Sequence, residues 1–393
     1  MKLYSYIIVG AGVAADSAIK AIRRIDKQAE IALFGKEPYP PYDRPPLSKE
    51  LWKGKEEEII WRTLNKSNLT EFYDREIVSI EPQQRLITDQ YGEIYQYESL
   101  LLATGGLPRK LPFGDGVIHY LHDLDDFRRI RTVVDKGDQF AVIGGGFVGS
   151  EMASVLCEQG KKVNMFFPES GIGANVFPPE ISQFITEYFL EKGVEVFSGE
   201  NVIDVRNAGE GAIVKTDRGR EITVDAVIAG IGLMPNVELA KSAGINVNRG
   251  IVVDEKLRTN FPNIYAAGDV AEFTQPTLGK QLHVEHEDNA RMMGKQAGRN
   301  MAGADEPFEH LSYFYSDMFD LGYLAVGEVN SKLKTYIDWS EPFRKAVVYY
   351  LDWDRVRGVL FWNVANAVQE AKALIAEPGP FKEDDLRNRL PLE

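Results

Sequence analysis

The stretch Phe140-Ala141-Val142-Ile143-Gly144-Gly145-Gly146-Phe147-Val148-Gly149-Ser150-Glu151 decides the fold that this sequence predicts. Its apolar residues run into a glycine cluster, and a helix-forming run from Ser150 to Gln159 follows. This order predicts a buried strand, a tight turn and the start of a helix. A next strand is predicted from Lys161 to Phe167.

The glycines of this stretch match the pattern G-x-G-x-x-G, which after a strand and before a helix is typical of dinucleotide binding. The phosphates rest on unpaired N–H groups at the helix N-terminus, so contacts are predicted from Gly144-Gly145-Gly146-Phe147-Val148. Glu169 follows the next strand, where its carboxylate can accept hydrogen bonds from a ribose 2′-OH and would repel a 2′-phosphate. The site is therefore predicted to prefer NADH to NADPH, and a purely structural glycine turn is the alternative.

The chain begins with a second copy of this pattern. Tyr6 to Val9 predicts a short strand, and Gly10-Ala11-Gly12-Val13-Ala14-Ala15 follows it directly. Ala15 replaces the third glycine, which is a permitted variant. After a further helix and strand, Glu37 is the candidate ribose acid, although Lys36 beside it would compete for the carboxylate. Two copies in one chain strengthen the interpretation of both.

Length and composition predict a globular chain of two or three domains, because 393 residues with 44% hydrophobic content can bury a core. The formal charge of −14 disfavours non-specific binding to nucleic acid or to an acidic membrane surface. No apolar run reaches the ~18 residues of a membrane helix, and the first residues pass into a strand without room for a cleavable leader. We therefore expect a cytoplasmic protein with no nucleic-acid partner and no integral membrane segment.

The single cysteine, Cys157, excludes several kinds of site. One thiol cannot form an internal disulfide, a redox-active C-x-x-C pair, a Cys-ligated iron–sulfur cluster or a Cys-rich zinc site. No metal site is predicted.

A proline-rich segment, residues 38–52, follows the first nucleotide motif, and its prolines favour an extended backbone. Ser48 is predicted to cap the next helix, with Lys49 in its first turn. A cation opposes the helix dipole there, which suggests an anionic partner. The run Tyr42-Asp43-Arg44-Pro45-Pro46-Leu47-Ser48-Lys49 resembles the FAD-domain signature of a flavoprotein family that includes apoptosis-inducing factor and NADH-dependent reductases of ferredoxins and rubredoxins. The resemblance extends over essentially the whole chain.

The two motifs and the resemblance imply an α/β fold with two Rossmann-like dinucleotide-binding domains, as in glutathione reductase, and a C-terminal α+β domain. An FAD-binding domain is expected over residues 1–113 and 238–306, and an NAD(H)-binding domain over 114–237. The C-terminal domain, expected to be interface-forming or dimerisation-like, would cover 307–393. Its predicted elements are four strands and a helix, at Tyr313–Asp317, Tyr323–Val329, Lys345–Tyr350, Val356–Trp362 and Val364–Ile375.

The resemblance also implies roles for single residues. Lys49 and Glu151 are expected to form an ion pair beside flavin N5, with Pro45 packed near the ring and His286 against it. The nicotinamide would contact Glu285. Further contacts are implied on the FAD side by Arg44, Val78, Ala103, Thr104, Gly105, Arg128, Asp269 and Tyr315, and on the NAD side by Asn175 and Gly232.

Some of these residues keep a structural alternative. Lys49 and Glu151 could each be a surface charge, Arg128 a solvated helical arginine, and His286 a structural histidine. Tyr315 and Asn175 depart from the apoptosis-inducing-factor members of the family, which carry a tryptophan and a lysine at these positions. Aromatic stacking should survive the first change, whereas the second should weaken NADH affinity.

The function implied is that of an FAD-dependent NADH oxidoreductase, which passes hydride from NADH to FAD and electrons on to an iron–sulfur or rubredoxin-type protein or a quinone. The alternative is an NADH-sensing flavoprotein like apoptosis-inducing factor, with slow turnover and a stable charge-transfer complex. The net negative charge slightly disfavours an acidic ferredoxin as acceptor, because like-charged surfaces slow the encounter of two proteins. A homodimer is left open, and disulfide reduction is rejected because the cysteines are missing.

Overall fold

The computed structural model describes residues 2–392, so Met1 and Glu393, the end residues of the predicted outer domains, lie outside it. The strands in the first half of that range are β1 (Lys2–Val9), β2 (Ile31–Phe34), β3 (Leu69–Phe72), β4 (Ile77–Glu81), β5 (Leu86–Asp89), β6 (Ile94–Leu102), β7 (Gly106–Pro108), β8 (Ile118–Tyr120), β9 (Gln139–Ile143), β10 (Lys162–Phe167) and β11 (Glu195–Ser198). The later strands are β12 (Val202–Ala208), β13 (Gly211–Thr216), β14 (Glu221–Val224), β15 (Ala226–Ala229), β16 (Leu233–Pro235), β17 (Ile251–Val252), β18 (Ile264–Ala266), β19 (Ala271–Gln275), β20 (Lys280–His283), β21 (Tyr313–Met318), β22 (Leu321–Gly327), β23 (Lys334–Glu341), β24 (Lys345–Asp352) and β25 (Arg355–Trp362).

Helices lie between these strands. They are α1 (Val13–Ile25), α2 (Leu124–Lys136), α3 (Phe147–Glu158), α4 (Pro179–Lys192), α5 (Glu238–Ser242), α6 (Glu287–Met301), α7 (Val368–Ala376) and α8 (Glu383–Leu386). Short 3-10 helices cover Pro45–Ser48, Glu50–Lys53 and Glu57–Ile60.

The chain divides into two compact units. The first unit contains residues 2–43, 57–107 and 233–312, and the second contains 44–56, 108–232 and 313–392. The proline-rich segment after Asp43 therefore clusters with the second unit. The three domain boundaries expected from the sequence stay a prediction.

The first unit is built on a sheet in which β3, β2, β1, β6 and β18 run parallel. The central strands are buried over continuous apolar runs, such as Ile7-Ile8-Val9 beside Leu100-Leu101-Leu102. Such runs are what a parallel sheet covered on both faces requires. The start of β6 pairs with β5, which pairs with β4, and both pairings are antiparallel.

The second unit contains a parallel sheet in the order β11-β10-β9-β15-β8. Helix α3 packs on β9 and β10, α2 on β8 and β15, and α4 on β11. Strands β12, β13 and β14 form a small antiparallel sheet.

The C-terminal part of the second unit is an antiparallel sheet in the order β21-β22-β25-β24-β23, against which α7 packs. Strand β23 was not predicted, because it is an edge strand whose side chains are mostly half-buried and show no clear alternation. The predicted helix start at Val364 was wrong. The helix begins at Val368, because the backbone N–H of Asn363 still donates to Gly322 of β22, at 2.8 Å, and Ala367 is not helical.

Candidate functional site

The two parallel sheets share a glycine turn at the end of a central strand. After β1, Gly10 has φ +108°, and a Cβ there would lie 2.0 Å from the carbonyl oxygen of Ala103. After β9, Gly144 has φ +116°, and a Cβ would lie 2.3 Å from the carbonyl oxygen of Gly230. No other residue fits either position without moving the backbone. The two motifs predicted from the sequence therefore have the same local structure.

The helices that follow these turns begin without side-chain caps. The N-cap residues are Gly12 for α1 and Gly146 for α3, and neither makes a side-chain capping bond. The space that a Cβ would occupy at each holds no described atom within 4 Å. Uncapped N–H groups and the positive end of the helix dipole suit the phosphates of a dinucleotide. The residues of both motifs therefore fit such a ligand.

The two predicted ribose acids lie at the ends of strands next to these turns. Glu37, after β2, accepts a 2.5 Å hydrogen bond from the Tyr42 hydroxyl. Lys36 pairs instead with Glu76, at 2.9 Å, so the expected competition for the Glu37 carboxylate is not observed. In the second unit, Glu169 accepts a 3.3 Å hydrogen bond from the side-chain amide of Asn175.

In the first unit, the remaining predicted FAD contacts follow other strands of the sheet. The residues Ala103-Thr104-Gly105 come directly after β6, and the Thr104 hydroxyl donates to the carbonyl of Asn236, at 2.8 Å. Asp269 follows β18, and its carbonyl lies 2.5 Å from His283 Nε2. Val78 on β4 is half-exposed.

His286 and Glu285 precede helix α6 in the first unit. His286 is the N-cap residue of α6 but makes no side-chain capping bond. Burial lowers the pKa of its imidazole to about 4, so the ring is neutral near pH 7. The Glu285 carboxylate lies 3.7 Å from His283 Nδ1.

Arg62 is a residue of the first unit that the sequence analysis missed. Its guanidinium donates to Asp16, at 2.7 Å, and also to Asp43 of the signature run. The Asp16 side chain is fully buried. Arg62 thereby connects Asp43 of the FAD-domain signature run to helix α1. No local sequence pattern indicates a contact between residues so far apart in the chain.

The second unit contains the predicted Lys49–Glu151 ion pair. Glu151 lies on α3, just after the glycine turn, and Lys49 lies between two 3-10 helices. Lys49 Nζ is 2.6 Å from Glu151 Oε1, and the two side chains are only 11% and 5% exposed. Neither residue is a surface charge.

The predicted capping role of Ser48 was wrong. A 3-10 helix follows Lys49, and Ser48 caps nothing, because its hydroxyl donates instead to Glu151 Oε2, at 2.5 Å. Ser316 on β21 donates to Glu151 Oε1. Ser48 and Ser316 are sequence neighbours of Lys49 and Tyr315. Only that adjacency could have indicated from the sequence that these serines belong to the site.

The surroundings of the ion pair are partly aromatic and partly open. Lys49 Nζ lies 5.5 Å from the centre of the Tyr315 ring, which is half-exposed. A pocket of about 350 Å³ adjoins the pair, with Ser48, Lys49, Phe319 and Asn363 among its lining residues. Because burying two charges costs desolvation energy, the pair is weak evidence for stability and better evidence for a functional role.

Other predicted residues of the second unit lie on several elements. Arg44 donates to the carbonyl of His122, at 2.5 Å, and Pro45 begins a 3-10 helix. The Arg128 side chain is 42% exposed, and its Nη1 lies 3.6 Å from Asp125 Oδ1. The carbonyl of Gly232 accepts from the backbone N–H of Arg109, at 2.9 Å.

The described residues show neither a metal-ligand cluster nor a membrane-spanning helix. Between Lys2 and Leu392, no group of three or more His, Cys, Asp or Glu side chains is arranged to hold a metal ion. Over the same residues, no helix has the length and apolar character needed to span a membrane.

Comparison with known families places this chain among flavoproteins. Residues 4–294 match the family described as pyridine nucleotide-disulphide oxidoreductase. Residues 297–341 match the C-terminal domain described for mitochondrion-associated apoptosis-inducing factor. The first match alone covers more than half of the chain.

Curated relatives and a solved structure match almost the whole chain. Apoptosis-inducing factor 1, mitochondrial, of Dictyostelium discoideum is 34% identical, over 95% of this chain and 79% of the relative. The ferredoxin–NAD(+) reductase component of the anthranilate 1,2-dioxygenase system of Burkholderia cepacia is 32% identical, over 96% of this chain and 95% of the relative. The reductase in the covalent putidaredoxin reductase–putidaredoxin complex superposes with a TM-score of 0.91 at 27% identity, covering 98% of this chain and 96% of that chain.

These matches confirm the predicted resemblance, the α/β fold with two dinucleotide-binding domains, and the cofactors FAD and NAD(H). When bound, FAD supplies hydride acceptance and onward release of electrons. The chain belongs to the pyridine nucleotide-disulphide oxidoreductase family, as an FAD-dependent NAD(P)H oxidoreductase that passes electrons from NADH through FAD to an acceptor.

Proposed function

We propose that this chain is a working reductase whose acceptor is a ferredoxin-type iron–sulfur protein. The observation that carries the proposal is the buried Lys49–Glu151 pair, in which Lys49 Nζ lies 2.6 Å from Glu151 Oε1. Glu151 is on the helix that follows the second glycine turn. Similarity to a relative named as a ferredoxin–NAD(+) reductase component, over 96% of this chain, supports the choice of acceptor. The overall reaction is NADH plus two oxidised acceptors giving NAD⁺, two reduced acceptors and one proton.

The proposed roles follow from the chemistry of the side chains. Lys49, paired with Glu151, would hold a fixed positive charge near bound flavin, where a largely buried charge acts more strongly than one in open water. Pro45 would help to keep water away from the flavin ring, and His286, which is neutral near pH 7, would offer the flavin a flat ring rather than a charge. We assign the phosphates of FAD to the turn at Gly10 and Gly12.

The proposed NADH site uses the second glycine turn and the acid beyond it. Phosphates would bind at Gly144, Gly145 and Gly146. Glu169 would accept the adenosine ribose hydroxyls, and Asn175, which donates to Glu169, would hold the carboxylate in place. A 2′-phosphate would meet the charge of Glu169, so the proposal includes a preference for NADH over NADPH.

A second candidate function is NADH sensing, with slow turnover and a stable charge-transfer complex. It is favoured by the match of residues 297–341 to the C-terminal domain of apoptosis-inducing factor. In this alternative the protein responds to NADH by changing its partners rather than by rapid electron delivery.

Anaerobic titration of the purified protein with NADH, followed by flavin absorbance, separates the two functions. In a working reductase, NADH should bleach the flavin absorbance rapidly, and the absorbance should return quickly when an oxidised ferredoxin is added. A slow bleaching with a long-wavelength band that persists in air would support the sensor instead. Fast reoxidation by rubredoxin or a quinone, but not by ferredoxin, would retain the reductase and overturn the proposed acceptor.

Substitution of Lys49 tests the role of the ion pair. Lys49→Ala should lower the rate constant for flavin reduction by NADH at least tenfold while FAD stays bound, because it removes the fixed charge and leaves Glu151 unpaired. The matched control is Lys53→Ala, since Lys53 lies in the next 3-10 helix with a half-exposed side chain 4.0 Å from Glu158. Stopped-flow absorbance measures both. Equal rates for wild type and Lys49→Ala would remove the ion pair from the mechanism.

The homodimer and the cytoplasmic location expected from the sequence stay predictions. Light scattering of the purified protein measures the first, and fractionation of cells that express the natural gene measures the second.

A further inference from the structure

The Glu151 carboxylate receives donors from segments far apart in the sequence. Oε1 accepts from Lys49 Nζ and from the Ser316 hydroxyl, and Oε2 accepts from the Ser48 hydroxyl. The two serine residues are 1% and 6% exposed, so water does not replace them easily. Both oxygens of the carboxylate are therefore engaged, and its orientation is set by contacts on both sides.

Ser316 is the donor in the most rigid setting. It lies on β21 directly opposite Tyr323 of β22, and the Tyr323 hydroxyl is in hydrogen-bond contact with the Ser316 side chain. The Tyr323 ring packs between Phe147, Phe177 and Trp362, at centroid distances of 6.3, 5.0 and 6.4 Å. A hydroxyl fixed to a packed antiparallel sheet has little freedom to follow a moving partner.

Tyr323 can act only as a neutral phenol in this setting. Burial, and then the negative charge of Glu151, raise its pKa well above the ordinary value. The phenol therefore keeps its proton and can donate to Ser316, whose own proton points to Glu151. A bond in that direction would extend the series of contacts from Tyr323 through Ser316 to Glu151, which pairs with Lys49.

We propose that Ser316, supported by Tyr323, is a positioning residue that fixes the Glu151 carboxylate and thereby holds the Lys49 ammonium in one place. Glutamate and lysine side chains are long and flexible, and an ion pair between them alone could adopt several arrangements. Hydrogen bonds to a charged acceptor are stronger than neutral ones, so a sheet-bound hydroxyl is an effective anchor. The proposal rests on the proposed role of the Lys49–Glu151 pair in the reaction with NADH.

The closing experiment is a double-mutant cycle. Ser316→Ala should lower the rate constant for flavin reduction by NADH roughly tenfold in the wild-type background, the cost of losing one hydrogen bond to a charged group. In the Glu151→Ala background the same substitution should change the rate less than about twofold, because there is no carboxylate left to position. Ser316→Thr, which keeps a hydroxyl, should recover most of the rate. An equal loss in both backgrounds would make Ser316 merely structural and overturn the proposal.

A second readout does not depend on turnover. Acetylation of lysines by acetic anhydride, followed by mass spectrometry, reports how freely each ammonium leaves its partner. Ser316→Ala should raise the labelling rate of Lys49 about threefold relative to Lys53, since the pair loosens when an anchor is removed. Unchanged relative labelling would contradict the positioning role.

Matched variants separate positioning from loss of fold. Thr216→Val removes another buried hydroxyl of the same unit, which donates to the Glu200 carboxylate at 2.6 Å, and it should leave flavin reduction unchanged. Should Ser316→Ala fail to fold, Tyr323→Phe removes only the supporting hydroxyl and should give a smaller loss, about threefold, that disappears in the Glu151→Ala background. A wild-type rate for Tyr323→Phe would then overturn the proposal.

Failure of this proposal and failure of the proposed function give different results. If NADH reduces the flavin of Glu151→Ala at the wild-type rate, the ion pair has no role in the reaction. The proposed function then loses the observation on which it rests. If Glu151→Ala is slow and Ser316→Ala is not, the pair keeps its role and only the positioning by Ser316 is wrong.

Discussion

The acids that follow the two nucleotide turns show how much a single residue depends on its neighbours. Glu37 accepts from Tyr42, and Glu169 accepts from Asn175. In each case the hydrogen bond from the neighbour restricts the rotation of the acidic side chain. If a ribose binds there as proposed, the acid is already oriented, which reduces the entropy lost on binding.

Glu169→Ala should relax discrimination between the two nicotinamide cofactors. Removing the negative charge removes the repulsion of a 2′-phosphate and the acceptor for the ribose hydroxyls, so the ratio of kcat/KM for NADH to that for NADPH should fall at least tenfold. Glu195→Ala is the control, because this exposed acid begins the neighbouring strand β11. Steady-state kinetics with a ferredoxin or an artificial acceptor measure the ratio. An unchanged ratio would count against the ribose role of Glu169.

At the scale of elements, the packing of α1 against α6 depends on small residues. A Cβ at Gly294 would lie 2.1 Å from the carbonyl oxygen of Ala14, and one at Gly298 would lie 2.4 Å from that of Ala18. The two helices therefore approach at a distance that only glycine on α6 allows. Considered within α6 alone, these glycines would only weaken the helix, because glycine has a low helix propensity; the packing against α1 makes them contact points.

Gly298→Ala should destabilise the protein although alanine favours helices. The gain of about 1 kcal/mol in helix propensity is outweighed because the methyl group meets backbone atoms that cannot move aside, so a net loss of about 1–3 kcal/mol is expected. Lys295→Ala is the control, since Lys295 is exposed on the same helix and its loss should cost less than about 0.5 kcal/mol. Urea unfolding with FAD at a fixed excess measures both. A stabilised Gly298→Ala would show that the helices separate readily.

Secondary structure was predictable wherever one local pattern dominated. The apolar runs of β1 and β9 and the glycine turns that follow them identified both nucleotide-binding units. Strand β23 was missed because its pattern is irregular. The helix α7 started later than predicted, because a hydrogen bond to a distant strand keeps Asn363 in the sheet.

For the molecule as a whole, two partly buried histidines link stability to pH. Burial lowers the pKa of His122 and of His286 to about 4, and Arg44 lowers that of His122 further while Asp123 opposes it. The unfolded chain takes up these protons near the ordinary value of 6.5, so between pH 6.5 and 4 the unfolded state binds more protons than the folded one. The stability that these two histidines contribute should therefore be complete above pH 6.5 and should fall as the pH drops toward 4.

His122→Gln should flatten part of this dependence. The variant lacks one group that must be protonated on unfolding, so the loss of unfolding free energy between pH 7 and pH 5 should be smaller by on the order of 1 kcal/mol. Thermal unfolding at a series of pH values with constant ionic strength and excess FAD measures the slope for wild type and variant. Parallel curves would show that His122 is not held neutral in the folded protein.

The sequence by itself determined the two glycine turns, the strands and helices around them, the family and the cofactor class, because each depends on residues close together in the chain. It also identified Lys49 and Glu151, through a motif that resembles a known family. Only the tertiary structure decided what surrounds that pair. Ser48 and Ser316 lie 103 and 165 positions from Glu151, and a serine hydroxyl leaves no periodic signal in a sequence. Which donors meet a buried carboxylate is set by how distant segments pack, and that information exists only once the chain is folded.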